Sequence, residues 1–239
     1  METGELHKYK KLIQRRIRRE PVAYIVGKKE FWSMDFVVNP DVLIPRPETE
    51  CLVEAVLDHL PKNTQSSDVF VLELGTGSGA IVLSLAAERP ERLLFASDKS
   101  YEALKIAKKN AKLHGLEQRI HFFASNWCDS IDSKRIQFDV IVSNPPYIMS
   151  SEIQTLAPEI FRFEPWHALN GGEDGLVCIR RILEDAARYL KTGGWLLLEM
   201  GWDQKESVKQ IVEHCGLYDQ LTFRKDYAGN NRVVAVRSR

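Results

Sequence analysis

From Val69 onward the chain alternates between two kinds of apolar pattern. Val69-Phe70-Val71-Leu72-Glu73-Leu74 is a nearly continuous apolar run, as in a strand buried on both faces. Residues 79–88 read as a helix, 92–97 as a strand ending at Asp98, and 101–114 as an amphipathic helix stopped at Gly115. Strands follow at 119–124 and 138–143. A helix over 175–190 leads to a Gly193-Gly194 turn, a strand over 195–200 and a helix over 203–215. The last two strands, 217–223 and 232–236, flank Gly229-Asn230-Asn231, a short turn suited to an antiparallel pair. Seven strands alternating with helices predict an α/β fold, a mainly parallel seven-stranded sheet with helices on both faces.

The first third is less regular. Leu6, Ile13 and Ile17 fit a helix over 5–19. Phe31, Met34, Phe36, Val38, Val42 and Ile44 alternate well enough for a short hairpin over 30–44. Pro45-Arg46-Pro47 breaks the chain. Pro47 then opens a helix running to about His59, with Glu48 and Glu50 in its first turn, where acids suit the helix dipole. Residues 61–68 read as a polar linker.

At 239 residues the chain can build one sizeable core. Lysine plus arginine and aspartate plus glutamate number 33 each, so no global field favours nucleic acid, and no stable nucleic-acid binding is expected. One local exception is the run from Lys8 to Arg19, seven basic residues with no acid. It could contact phosphates, but a solvated helix face is the better reading. Cys51, Cys128, Cys178 and Cys215 form no CxxC pair, and the six histidines are scattered, so we expect free thiols and no metal. No apolar stretch approaches the ~20 residues of a membrane span, and the N-terminus has no apolar signal core. The expectation is a cytoplasmic monomer.

The candidate chemistry lies at strand ends. Asn144-Pro145-Pro146-Tyr147 follows the apolar strand 138–143. Two prolines remove two backbone donors and leave carbonyls free. Asn adds an acceptor and two donors, and Tyr a flat face; the set suits a planar NH2 group. Upstream, Glu73-Leu74-Gly75-Thr76-Gly77-Ser78-Gly79 is a glycine-rich strand-to-helix turn of the kind that receives a nucleotide-like ligand. Asp98 ends the next strand, where ribose hydroxyls are gripped in nucleotide folds; a helix N-cap is its plainer alternative. Asn126 and Trp127 follow the third strand, placed to meet an adenine edge and face, although Trp127 could equally be a core anchor. A dinucleotide site leaves the Asn-Pro-Pro-Tyr turn unexplained. Methyl transfer from S-adenosyl-L-methionine to a planar nitrogen accounts for both features.

In these residues the chain resembles the amino-methyltransferases and, within them, the HemK family of protein-(glutamine-N5) methyltransferases, in the branch that modifies peptide chain release factors. The resemblance runs from about Arg15 to Arg237. Its landmarks are residues 19–27, Val42-Leu43-Ile44-Pro45-Arg46-Pro47-Glu48-Thr49-Glu50, the glycine turn, and Asn144-Pro145-Pro146-Tyr147-Ile148. Further on come Glu164-Pro165 with Ala168-Leu169, Gly171-Gly172-Glu173-Asp174-Gly175-Leu176 and Glu199-Met200-Gly201. It implies a Rossmann-like class I S-adenosylmethionine-dependent methyltransferase acting on the glutamine of a Gly-Gly-Gln motif. Residues 1–20 would be a residual N-terminal helix, with most of a helical domain missing. Residues 21–67 would be a linking hairpin and helix, and 68–239 the catalytic domain.

Carried over by position, Glu73, Gly75, Thr76, Gly77, Ser78, Gly79, Asp98, Asn126, Trp127 and Asn144 would hold the cofactor. Asn144, Pro145, Pro146, Tyr147 and Glu48 would hold the substrate, with Asn144, Pro145 and Tyr147 catalytic. The family usually has Asp where Asn126 stands, which removes a charge there. Glu50 could share the pocket, and Phe31, Trp32 and Phe36 could wall the cleft, though core packing suits at least two of them. The expected mechanism is positional: the Asn144 side-chain carbonyl and the Pro145 backbone carbonyl accept the two amide hydrogens, and Tyr147 packs on the amide plane. An adenine-N6 DNA or RNA methyltransferase is the alternative enzyme, and a cofactor-binding relative lacking activity the alternative outside catalysis.

Overall fold

Alternate side chains of the strand Phe70–Leu74 enter different cores: Val71 packs with Leu52, Val56 and Ile81 on one face, Leu72 and Leu74 with Ile179, Leu183 and Leu198 on the other. That division explains its unbroken apolar run and places it at the centre of the sheet. The computed structural model describes residues 3–60 and 69–239. The polar linker expected over 61–68 lies outside the described residues.

The chain starts with helices α1 (Thr3–Ile17) and α2 (Val22–Val26), then the hairpin β1 (Lys28–Phe31) and β2 (Met34–Val37). A 3-10 turn over Pro47–Thr49 runs into α3 (Glu50–His59). The α/β portion follows as β3 (Phe70–Leu74), α4 (Ala80–Glu88), β4 (Leu93–Asp98), α5 (Tyr101–Leu113), β5 (Ile120–Ala124), β6 (Phe138–Ser143) and the short α6 (Pro158–Phe161). It continues with α7 (Val177–Ala186), β7 (Leu190–Glu199), α8 (Lys205–Cys215), β8 (Tyr218–Lys225) and β9 (Asn231–Ser238). The main sheet has the order β5-β4-β3-β6-β7-β9-β8. β3 to β7 run parallel, and β9 inserts antiparallel between β7 and β8. The order reverses between β3 and β6, so a ligand crevice is expected above those two strand ends.

Three local readings change. The hairpin is shorter and earlier than the expected 30–44. Its turn residues Trp32 and Ser33 both take positive φ, +52° and +57°, without the glycine or asparagine that marks such a turn in a sequence. Borrowed acceptors compensate: Trp32 N–H donates to Glu50 Oε1 at 2.9 Å, and Ser33 N–H to Glu30 Oε1 at 2.8 Å. Second, Gly193-Gly194 is not a turn before a strand but an irregularity inside β7, where Leu190 pairs with Phe138 but Trp195 with Val140. A Cβ on Gly194 would lie 2.9–3.1 Å from three backbone carbonyl oxygens, so the bulge has room only for glycine there. Third, α7 begins at Val177 and ends at Ala186, inside the expected 175–190.

The basic run on α1 is partly neutralised. Arg15 pairs with Glu20, while Arg16 and Arg19 both reach Glu159 at 2.9 Å, tying the first helix to α6. Phe31 and Phe36 are buried edge to face with ring centroids 6.1 Å apart, and Trp32 packs against the same core, so these aromatics serve packing. No helix among the described residues is long and apolar enough to cross a membrane. Among the described residues no group of three or more His, Cys, Asp or Glu could hold a metal ion, and the four cysteines are free.

Candidate active site

The turn after β3 is held by its own side chains. Glu73 is buried, and its Oε2 accepts the Thr76 hydroxyl at 2.6 Å and the Val82 N–H at 3.1 Å. Burial pushes its carboxyl up to about 8, against the pull of those two hydrogen bonds. Thr76 N–H donates to Ser97 O at 2.9 Å, and Gly77 N–H to Asp98 Oδ2 at 2.9 Å. Asp98 Oδ1 accepts Ser100 N–H at 2.8 Å, but the cap of α5 is Ser100, whose hydroxyl oxygen accepts Ala103 N–H at 3.2 Å. Asp98 therefore braces the glycine turn rather than capping the helix.

A cavity opens above these strand ends. Glu73, Gly75, Thr76, Gly77, Ser78, Asp98, Asn126, Trp127, Asn144 and Pro146 line it. Gly79 does not. It starts α4 at φ +84°, and a Cβ there would press on Leu83 at 3.0 Å and Ala107 at 3.3 Å, so its role is close helix packing. Trp127 takes φ +54°, a costly conformation for a bulky residue, and its ring lies against Gly75. Trp127 also packs on the core beneath, so the cofactor and anchor readings are compatible. Asn126 donates to Asp129 Oδ2 at 3.0 Å, and Asp129 is held by Arg181 at 2.8 Å. A carboxylate at 126 would face Asp129 with like charge, which the amide avoids.

A second cavity shares Leu43, Arg46, Asn144 and Ala168 with the first and extends to Pro145, Tyr147, Ile148 and Glu199. Asn144 thus stands where the two spaces meet. Its Nδ2 donates to Thr49 Oγ1 at 3.2 Å, and the Tyr147 hydroxyl donates to Glu199 Oε1 at 3.0 Å. Burial, then the Glu199 charge, raises the Tyr147 phenol, so it remains a neutral donor. Behind the turn, a Cβ on Gly171 would lie 2.8 Å from Tyr147 Cα, and Gln204 Nε2 donates to Tyr147 O at 2.9 Å. Gly171 N–H donates to Ile148 O at 2.8 Å. The Gly171–Gly175 loop is therefore a backbone buttress for Asn144–Tyr147.

Glu48 is exposed and lines neither cavity. Its neighbours Arg46 and Thr49 do, and Glu50 is occupied by the Trp32 N–H. The family resemblance implies a substrate contact for Glu48, against the plainer alternative that an acid in a first turn suits the helix dipole. The 3-10 geometry of Pro47–Thr49 instead turns Thr49 inward and leaves Glu48 outside. His167, which burial keeps below the ordinary imidazole range, also lines the first cavity and carried no sequence signal. Glu199, of Glu199-Met200-Gly201, lines the second cavity, and nothing in its local sequence points to that position.

The first cavity suits S-adenosyl-L-methionine. A glycine turn lets a ligand approach backbone, Asp98 offers a carboxylate at a strand end, and the indole of Trp127 provides an apolar face. A class I methyltransferase is what this sheet order and crevice define. The model of the family described as methyltransferase small domain matches residues 52–178, and that of the PrmC N-terminal domain matches residues 1–27. The chain is 45% identical to the release factor glutamine methyltransferase of Coxiella burnetii, over 94% of this chain and 78% of that one. The protein of the same name from Neisseria gonorrhoeae is 46% identical, over 94% and 79%. Among solved structures, the release factor-specific protein-(glutamine-N5) methyltransferase of Alicyclobacillus acidocaldarius superposes with a TM-score of 0.50 at 29% identity, covering 85% of this chain and 99% of that one. The chain belongs to the release factor glutamine methyltransferase family.

Proposed function

We propose that this chain transfers a methyl group from S-adenosyl-L-methionine to the side-chain amide nitrogen, N5, of the glutamine in the Gly-Gly-Gln motif of a peptide chain release factor. The observation that carries the reading is the position of Asn144, on the shared wall of the cavity at the glycine turn and the one beside Pro145 and Tyr147. An acceptor there sits between donor and acceptor substrates.

In this reading Gly75 to Ser78, Asp98 and Trp127 hold the cofactor, with Glu73 supporting the turn through Thr76 and Val82. When bound, the cofactor supplies an electrophilic methyl on a sulfonium. The chain's own contribution is orientation. An amide nitrogen is a weak nucleophile because its lone pair is delocalised into the carbonyl. The Asn144 side-chain carbonyl and the Pro145 backbone carbonyl accept the two amide hydrogens, and Tyr147 packs on the amide plane. Such positioning supplies about 7–11 kcal/mol of barrier reduction in the best cases. The amide proton leaves to water during or after transfer. Pro146 shapes the turn, and Arg46 and Thr49 replace Glu48 as the inward side chains of their segment. Zero net charge supports a protein rather than a nucleic-acid substrate, and a cytoplasmic monomer remains the expected form.

The test is transfer from labelled S-adenosyl-L-methionine to a purified release factor, beside a Gln→Ala variant of its Gly-Gly-Gln motif. Label on the wild type alone supports the reading. Label on both, or on duplex DNA or RNA instead, overturns it.

A further inference from the structure

We infer that Thr49 and Glu199 are positioning residues that turn the side-chain carbonyl of Asn144 toward the substrate amide. The inference rests on the reading above and assigns it two further residues.

An asparagine side chain has two faces of similar shape, one a double donor and the other an acceptor. Methyl acceptance by an amide needs the acceptor face in the cavity, because the substrate nitrogen brings N–H groups. Nothing in the shape of the turn selects that orientation. Thr49 can: its hydroxyl has one proton and accepts as well as donates. If that proton went to Asn144, the Asn144 carbonyl would be consumed. The carboxylate of Glu199, at the end of β7, can only accept when ionised. Burial raises its carboxyl above the ordinary range, and the neighbouring hydroxyls of Thr49 and Tyr147 and the charge of Arg232 pull the other way, toward the ionised form. Glu199 Oε2 is buried and has no hydrogen-bond partner among the described residues, so it is the vacant acceptor for that proton. With its proton so directed, Thr49 can only accept from Asn144. Asn144 Nδ2 points at Thr49 Oγ1 at 3.2 Å, which leaves Oδ1 for the substrate. The other oxygen of Glu199 accepts the Tyr147 hydroxyl at 3.0 Å. One carboxylate, 1% exposed, thereby sets both polar side chains of the turn.

The experiment compares wild type with Thr49→Ser, Thr49→Val and Glu199→Gln in methyl transfer to a release factor, with cofactor affinity measured by calorimetry. Thr49→Val keeps volume but loses the relay, and kcat should fall on the order of 10²-fold while cofactor Kd and substrate KM stay within about threefold. Thr49→Ser restores the hydroxyl and should recover most of kcat. Glu199→Gln can donate back to Thr49 and should reproduce the valine loss. Wild-type kcat in Thr49→Val or Glu199→Gln, or equal losses in the serine and valine variants, would overturn the inference. A readout independent of the acceptor substrate is the Asn144 side-chain 15NH2 signal. It should shift in Thr49→Val and Glu199→Gln and hold in Thr49→Ser, and an unmoved signal in all three overturns the assignment. A wild-type enzyme that transfers no label would count against the functional reading, with the amide signal still deciding this one.

Discussion

Asp98 accepts the backbone N–H of Gly77 at 2.9 Å, so the acid that ends one strand closes the glycine turn that follows its neighbour. Its other oxygen takes the N–H of Ser100. The carboxylate shapes the cavity before any ligand arrives, because both oxygens are committed to backbone donors of the two loops that line it.

That commitment makes Asp98→Asn a severe change for its size. An amide has one acceptor oxygen and must set an NH2 against the second backbone donor. Hydrogen bonds to charged groups contribute about 1.5–3 kcal/mol, which corresponds to roughly a 10- to 100-fold weaker cofactor Kd. Calorimetric titration with S-adenosylhomocysteine reads the effect directly. A Kd within about threefold of wild type would show that the turn keeps its form without the acid.

Asn144 sits one step further toward the chemistry. Asn144→Ala removes the proposed acceptor but leaves the glycine turn, Asp98 and Trp127 untouched. Turnover should fall by about 10²-fold or more while cofactor affinity changes by less than about threefold. Single-turnover transfer measured beside cofactor binding separates the two. Equal losses in both would make Asn144 a cofactor ligand alone.

Glu164 and Glu159 each hold arginine, and their truncation should differ sharply in cost. Glu164 is buried and accepts both the Arg46 guanidinium and the Ile44 N–H at 3.1 Å. Glu164→Ala strands a backbone donor and a half-buried guanidinium, and should cost about 3–5 kcal/mol in urea unfolding. Glu159 holds Arg19, which is exposed, and Arg16, which is partly exposed. Glu159→Ala should cost no more than about 1 kcal/mol, because exposed pairs contribute little. Similar costs for the two variants would mean that burial does not separate these pairs.

Much of this arrangement could be read from the chain, for identifiable reasons. β3, β4 and β6 are buried on both faces, so their apolar runs are long and unambiguous, and the glycine turn and Asn144–Tyr147 sit immediately at their ends. Ser143 to Tyr147 announces itself through two prolines. The parts that could not be read depend on contacts distant in sequence. Thr49 matters through Asn144, ninety-five positions away, and Glu199 through Tyr147, fifty-two positions away. The hairpin turn at Trp32 and Ser33 lacks turn residues, and the Trp32 N–H is satisfied by Glu50, eighteen positions away. The stretch between Ile148 and Asp174 has no steady period. Its order comes from bridges such as Ile148 N–H to Leu169 O at 3.1 Å and Ser150 Oγ to Asn170 Oδ1 at 2.8 Å, which no local pattern encodes.

Glu73 carries a stability cost with a defined pH window. It lies wholly inside the protein, and burial raises its carboxyl from the ordinary 4.5 to about 8. A carboxyl whose folded value is raised binds its proton more tightly in the native than in the unfolded chain. Its stabilising contribution is therefore complete below about pH 4.5 and is lost as pH climbs to about 8, where the folded form ionises as well. Within that window each pH unit removes at most about 1.4 kcal/mol. Glu73→Gln keeps an acceptor oxygen for the Thr76 hydroxyl and the Val82 N–H but has no proton to lose. The glutamine variant should therefore gain on wild type steadily between pH 5 and pH 8, and the gap should level off above pH 8. Urea midpoints at unit pH intervals measure it. A constant difference across the range would mean that Glu73 titrates as an ordinary carboxylate, and that the Thr76 and Val82 hydrogen bonds fully offset its burial.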